Sequence, residues 1–377
     1  MTIAQASSER SEAETRLEVV DADVHPIWRS IEELREFTPE PWRTRDFGEF
    51  EPASKRVVQL YPSPHGHGAR LDSLPPDGGP AASDPEFTAK QLFERAGVTY
   101  AILIPLGPRP QVNPEHDLAN CMACNTWLAE TWLSKENHRD IYRGSLRVPT
   151  ADPELAVREI ERWAGDARFV QVMLDPGHQT PLGWPQFHKV YEAAERHGLA
   201  VAFHPIKASG IRFLTPAGFP SYFLDQHAQL SHIVAAQLTS LVFEGVFDKF
   251  PDLRVAAVEG GFGWAAPLIW RLDRNWKALR SEVPWVRRPP SEYIREQVRF
   301  TTQPFEEAEK PAHLDATMSL VGSEKFFLFA TDYPHWDADD PQWIFRHLPK
   351  QLRSGILRDN ALEFYRLPAR DRAAVDV

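Results

Sequence analysis

Cysteine is almost absent from this chain: 377 residues hold only Cys121 and Cys124. Two thiols cannot build a disulfide framework, and their C-x-x-C spacing has no second pair to complete a zinc site. The stretch around them, Asp117 to Glu130, reads as helix, so they are expected as buried helical thiols. Basic residues are short as well. The 42 Lys and Arg stand against 53 Asp and Glu, leaving a formal net charge of -11 with no Lys/Arg cluster. That balance argues against nucleic acid and anionic membrane as partners. No run approaches the ~20 apolar residues of a membrane span. No Gly-rich phosphate loop follows a strand-like run, which weakens a doubly wound open sheet. Residues 1–16 are polar and acidic and lack the apolar core of a signal peptide. They read as a disordered tail, and a cytoplasmic location is expected.

What is present is an ordinary globular composition, 42% hydrophobic and 25% charged. After an irregular Pro/Gly/His-rich insertion from about Pro39 to Asp84, apolar runs and helical patterns alternate. Strand-like runs fall near residues 17–26, 98–105, 142–149, 169–174, 199–205, 253–259, 298–302 and 326–332. Helical patterns lie between them, including 231–250, 264–283 and a short one near 306–314. Alternation of this kind implies parallel pairing with right-handed crossovers. Eight units predict a closed (β/α)8 TIM barrel over residues 17–377 with a long insertion after the first strand.

In such a barrel the active site lies at the C-terminal strand ends. Strand one ends in Asp21, Asp23 and His25, which strict alternation places on one face. Strand five ends in His204, strand six in Glu259 and strand eight in Asp332. Carboxylate oxygens and imidazole nitrogens together suit a divalent ion, with zinc expected first and manganese or iron as alternatives. Asp23, His25, His204 and Asp332 are the expected ligands of one ion. Glu259 with His232, at the start of the helix after strand five, is the expected frame of a second, with His227 and His335 as neighbours. His65 and His67 lie in the Gly-rich insertion, where a mobile flap is the simpler reading.

With those residues in view, the chain resembles the amidohydrolase superfamily. Asp-x-His on strand one, Phe203-His204-Pro205, the Phe-Pro-Asp-Leu-Arg-Val run before strand six and Thr331-Asp332-Tyr333-Pro334-His335 carry the likeness. It is similar in particular to the amidohydrolase-related branch that includes aminocarboxymuconate-semialdehyde decarboxylase. The resemblance implies a barrel holding a divalent metal through Asp23, His25, His204 and Asp332. Decarboxylases of that branch carry His-x-His or Glu-x-His on strand one and His-Gly-Gly on strand six. Here the residues are Asp23-Val24-His25 and Glu259-Gly260-Gly261.

Glutamate does not donate a proton as imidazolium does near neutral pH, and it is the better ligand or base. The leading expectation is therefore a metal-dependent hydrolase acting on an amide, ester or thioester, with metal-activated water and Asp332 and Glu259 as catalytic groups. The alternatives are a dinuclear Fe/Mn oxygenase of a small carboxylic or amino acid, a non-oxidative decarboxylase, and a non-catalytic barrel with a structural metal. The expected partner is a small molecule. Arg147, Arg299, Trp264 and His335 are its expected contacts, the arginines because they pair with carboxylates. An apolar surface around Trp276 and Trp285 predicts a homodimer or a complex with a related barrel.

Overall fold

The computed structural model describes residues 18–44, 68–108, 110–135, 137, 140–177, 180–205 and 222–370. The expected tail and both insertion histidines, His65 and His67, lie outside the described residues. β1 (Val19–Val24), α1 (Ile31–Phe37) and α2 (Pro85–Ala89) lead to β2 (Val98–Leu103). α3 (Pro114–Trp127), β3 (Tyr142–Arg147), α4 (Pro153–Arg162), β4 (Phe169–Leu174), α5 (His188–Arg196) and β5 (Ala200–Phe203) follow. Next come α6 (Phe223–His227), α7 (Leu230–Phe243), α8 (Val246–Lys249) and β6 (Val255–Ala257), then α9 (Ala265–Leu279), α10 (Pro290–Gln297) and β7 (Val298–Thr301). α11 (Pro311–Ser319), β8 (Phe327–Leu328), α12 (Pro341–His347) and α13 (Asn360–Tyr365) complete the order.

The eight strands pair in sequence order, every pair parallel. The ring closes between the first and last strands through Ala22 N–H to Phe329 O at 2.9 Å, Asp332 N–H to Asp23 O at 3.1 Å and His25 N–H to Tyr333 O at 2.8 Å. This is the (β/α)8 barrel that the alternation predicts. The strands are buried along their whole lengths, as both faces of a parallel sheet require. Small residues fill the inside, with Ala22, Ala200, Ala202 and Ala256 beside Val20, Ile102 and Val258, and α13 packs Phe364 and Tyr365 onto that set. A larger cluster joins the outer barrel wall to the helices.

Helix starts follow local chemistry. Asp84, Asn113, Asp152 and Asp340 each accept a backbone N–H at a helix N-cap, and each is followed by proline at the first helical position. Three expectations need correction. The helix expected over 231–250 is broken, because Gly245 adopts a left-handed φ of 72° and a Cβ there would meet the Trp285 ring at 2.5 Å. The short helix near 306–314 starts only at Pro311, since Glu306 is used to bind the Phe262 and Gly263 N–H groups. β8 keeps only two paired residues, because beyond Leu328 the chain bonds to β1 through loop geometry.

Candidate metal centre

β1 does not alternate to its end. Its register against β2 slips between Asp21 and Val24, where three residues of β1 step against two of β2. This extra residue breaks the shared face expected for Asp21, Asp23 and His25. The Asp21 carboxylate turns back to accept Asp23 N–H at 3.2 Å and the N–H and hydroxyl of Thr331 at 2.9 and 2.6 Å. Asp23 and His25 are left at the barrel mouth. Burial pushes the Asp21 carboxyl up to about 7, against the pull of those hydrogen bonds.

His25 donates its Nδ1–H to the Ile104 carbonyl at 2.9 Å, so Nε2 faces the site. That nitrogen lies 2.7 Å from Asp332 Oδ1 and 3.2 Å from Asp23 Oδ1. His204, fully buried at the end of β5, meets His25 edge to face at 4.9 Å and places Nε2 3.5 Å from Asp23 Oδ2. Both Asp23 oxygens and both His204 nitrogens are sealed from solvent without a hydrogen-bond partner. Buried polar atoms are rarely left so, and a cation held between Asp23 and His204 Nε2 lowers the cost for the atoms that face it. Among the described residues, ligand atoms of Asp23, His25 and His204 lie within 4.8 Å of one another, as do those of His25, Asp332 and His335. The donor set therefore fits a divalent ion.

The buried groups also perturb one another's titration. Burial disfavours charge on His25, but Asp23 and Asp332 outweigh it and hold the imidazole well above its usual pKa. The same contest raises His204 through Asp23 and Glu259. Asp23 and Asp332 are both lowered, despite burial, by the imidazoles beside them. Asp332 also accepts Gln303 Nε2–H at 3.2 Å and holds His335 Nδ1 at 2.6 Å.

Glu259 follows β6 with a left-handed φ of 53°, its N–H bound to Thr301 Oγ1. Its Oε2 stands 3.3 Å from His204 Nε2. His232, expected as its companion, is exposed on α7, while His227 at the end of α6 places Nε2 3.8 Å from Glu259 Oε1 and 3.2 Å from Asp337 Oδ2. A helix start is set by backbone geometry, and the turn before α7 brings the earlier histidine inward. The expected arginine contacts are occupied elsewhere. Arg147 donates to the carbonyls of Leu106 and Pro108. Arg299, low on β7, donates to Arg295 O, Glu296 O and Val298 O away from the mouth. Trp264 donates to Gly260 O and edges Phe300, bracing the Glu-Gly-Gly turn. Of the four expected contacts, only His335 lies in the cluster. Gln303 and Asp337, which the sequence reading passed over, join it: Gln303 Nε2 bridges Asp332 and Asp337. The Thr-Thr-Gln-Pro end of β7 was the available signal for Gln303.

A barrel of this topology with two carboxylates and two imidazoles converging at its C-terminal mouth defines a metal-binding (β/α)8 protein. The chain belongs to the amidohydrolase family, whose model matches residues 20–367. It is 27% identical over 268 residues to the gamma-resorcylate decarboxylase of Polaromonas sp. (strain JS666), covering 66% of this chain and 77% of that one. It is 26% identical to the 2-amino-3-carboxymuconate-6-semialdehyde decarboxylase of Dictyostelium discoideum, covering 67% of each. The fold matches 5-carboxyvanillate decarboxylase from Novosphingobium aromaticivorans, solved with manganese and 4-hydroxy-3-methoxy-5-nitrobenzoic acid, at a TM-score of 0.65 and 17% identity over 94% of this chain and 97% of that one. These relatives overturn the hydrolase expectation. It rested on the loss of an imidazole at position 259, whereas the structure brings His227 and His335 to the mouth from other elements.

Proposed function

We propose that this chain is a metal-dependent non-oxidative decarboxylase of a small, aromatic carboxylic acid. The observation that carries the reading is the buried cluster of Asp23, His25, His204 and Asp332 with its unpartnered atoms, in a chain whose curated relatives are decarboxylases. A bound divalent ion supplies positive charge that orients the substrate carboxylate. Manganese stands ahead of zinc, because a structural neighbour holds it and two carboxylates provide hard oxygen donors.

The remaining chemistry belongs to the chain's own side chains. Loss of carbon dioxide breaks the bond between ring carbon and carboxylate, and that carbon takes up a proton. His227 suits the delivery. It lies outside the ligand set, its Nε2 is aimed at Asp337 and Glu259, and its half-buried ring packs beside Trp336 at the rim, where solvent restores its proton. Asp332 keeps its orientation through Gln303 and His335. Glu259 faces His204 from the other side.

The test is carbon dioxide release from 2,6-dihydroxybenzoate and 5-carboxyvanillate by the manganese-loaded protein. His204→Ala is expected to lose metal and release together, since one of two buried imidazoles is removed from the ligand set. Protein that binds manganese in stoichiometric amount yet releases no carbon dioxide from a panel of hydroxylated aromatic acids would overturn the reading.

A further inference from the structure

We propose that Asp21 is a positioning residue which, through Thr331, fixes the ligands Asp23 and Asp332 relative to each other. The inference rests on the metal-centre reading above. Asp21 is fully buried and contacts no ligand side chain through its carboxylate in the hydrogen bonds seen. Three donors converge on its two oxygens. Oδ1 takes the N–H of Asp23 and the N–H of Thr331, and Oδ2 takes the Thr331 hydroxyl.

Each of those donors belongs to a ligand candidate or to the residue next to one. Asp23 is itself a ligand candidate, and Thr331 immediately precedes Asp332. The Thr331 Oγ1 in turn accepts Tyr333 N–H at 3.0 Å. Asp332 is thus gripped on both sides, by Thr331 before it and Tyr333 after it. The grip is needed because Asp332 adopts a φ of 60°, a left-handed conformation that a non-glycine residue leaves unless its surroundings impose it. Asp332 N–H to Asp23 O and His25 N–H to Tyr333 O complete the seam. Asp21 is the β1 side chain that bonds both Asp23 on its own strand and Thr331 across the seam, and it reaches Tyr333 only through the Thr331 hydroxyl. Relaxing it lets the Asp332 carboxylate swing away from His25 Nε2, now 2.7 Å away.

The hydroxyl of Thr331 both donates to Asp21 and accepts from Tyr333, which makes the idea testable without a substrate. Thr331→Val removes the donor to Asp21 and the acceptor for Tyr333 while keeping the volume. Thr331→Ser keeps both. Asp21→Asn keeps the shape but places an amide NH2 where one acceptor oxygen stood. Manganese dissociation constants are read by electron paramagnetic resonance of free Mn2+, with unfolding midpoints measured on the same preparations. Outer contacts of this kind typically change metal affinity by roughly 10- to 100-fold. That loss is expected for Asp21→Asn and Thr331→Val, with an altered spectrum of the bound ion, and Thr331→Ser is expected to stay within about threefold of wild type. The double variant Asp21→Asn/Thr331→Val should be no weaker than the weaker single one, because both cut the same link. Folded Asp21→Asn and Thr331→Val proteins with wild-type affinity and spectrum, whatever their unfolding midpoints, would overturn the proposal. If Asp21→Asn does not fold, Thr331→Val decides alone. Wild-type protein that binds no manganese defeats the metal-centre reading and this inference with it. Wild-type binding matched by the variants defeats the inference only.

Discussion

Asp339 shows how a single acid responds to the cluster beside it. Its Oδ2 is sealed from solvent without a partner, and burial first, then the charges of Asp337 and Asp332, push its carboxyl up to about 8. The unfolded chain releases that proton near pH 4. Between about pH 4 and 8 the folded metal-free protein therefore holds one proton more than the unfolded chain, and its stability falls as pH rises through that window. Asp339→Asn has no proton to hold. Urea unfolding of the metal-free proteins should show the variant gaining on wild type between pH 5 and pH 8, by on the order of 1–2 kcal/mol once the residue's partial exposure is allowed for. An unchanged difference across that range would place a solvated, ordinary carboxylate there. At the same scale, Arg147 and Arg299 donate to backbone carbonyls around their strands. A strand position tells that an arginine is near the barrel, but only the carbonyls around it tell which of its donors are already engaged.

The element that most constrains the mouth is the turn after β6. Glu259 and Gly261 both adopt left-handed φ, 53° and 62°, and Glu306 reaches across to accept the N–H groups of Phe262 and Gly263. A Cβ on Gly261 would lie 2.9 Å from Glu306 Oε1. Gly261→Ala combines an unfavourable backbone conformation with displacement of that anchor, so a loss of about 1–3 kcal/mol is expected from chemical denaturation. A loss under a few tenths would mean that the turn relaxes freely. The Glu-Gly-Gly triplet was legible in the sequence as the end of a strand. That its glutamate faces His204 with His227 across from it depends on the ends of β5 and α6 both approaching Glu259.

At the scale of the whole molecule, the barrel leaves large apolar side chains on its outside. Trp270 and Trp285 are about half exposed, and Leu279 also faces solvent. Trp276, expected in the same patch, instead donates to Val286 O and packs against the core. These exposed side chains motivate a test of the expectation of a homodimer or a complex with a related barrel. Light scattering at micromolar concentration should return twice the 43.0 kDa chain mass, and Trp270→Lys should lower it. A monomer in wild type would show that these tryptophans serve another purpose. No helix among the described residues is long and apolar enough to cross a membrane.

What the sequence determined by itself was the order of strands and helices and the identity of the polar residues that end strands one, five, six and eight. Those follow from local rules: mainly apolar runs for strands buried on both faces, Asp-Pro and Asn-Pro pairs for helix starts, and polar atoms at the one end of a barrel open to ligands. Tertiary structure alone decided which of them converge. One extra residue in β1 turned Asp21 away from Asp23 and His25 and toward Thr331, 310 positions distant in the chain. His227 entered where His232 was expected, and Gln303 and Asp337 joined from β7 and the β8 loop. The reason is physical. Period-two alternation holds only while the ladder is regular, and closure of the ring joins segments whose separation in sequence carries no record of their contact.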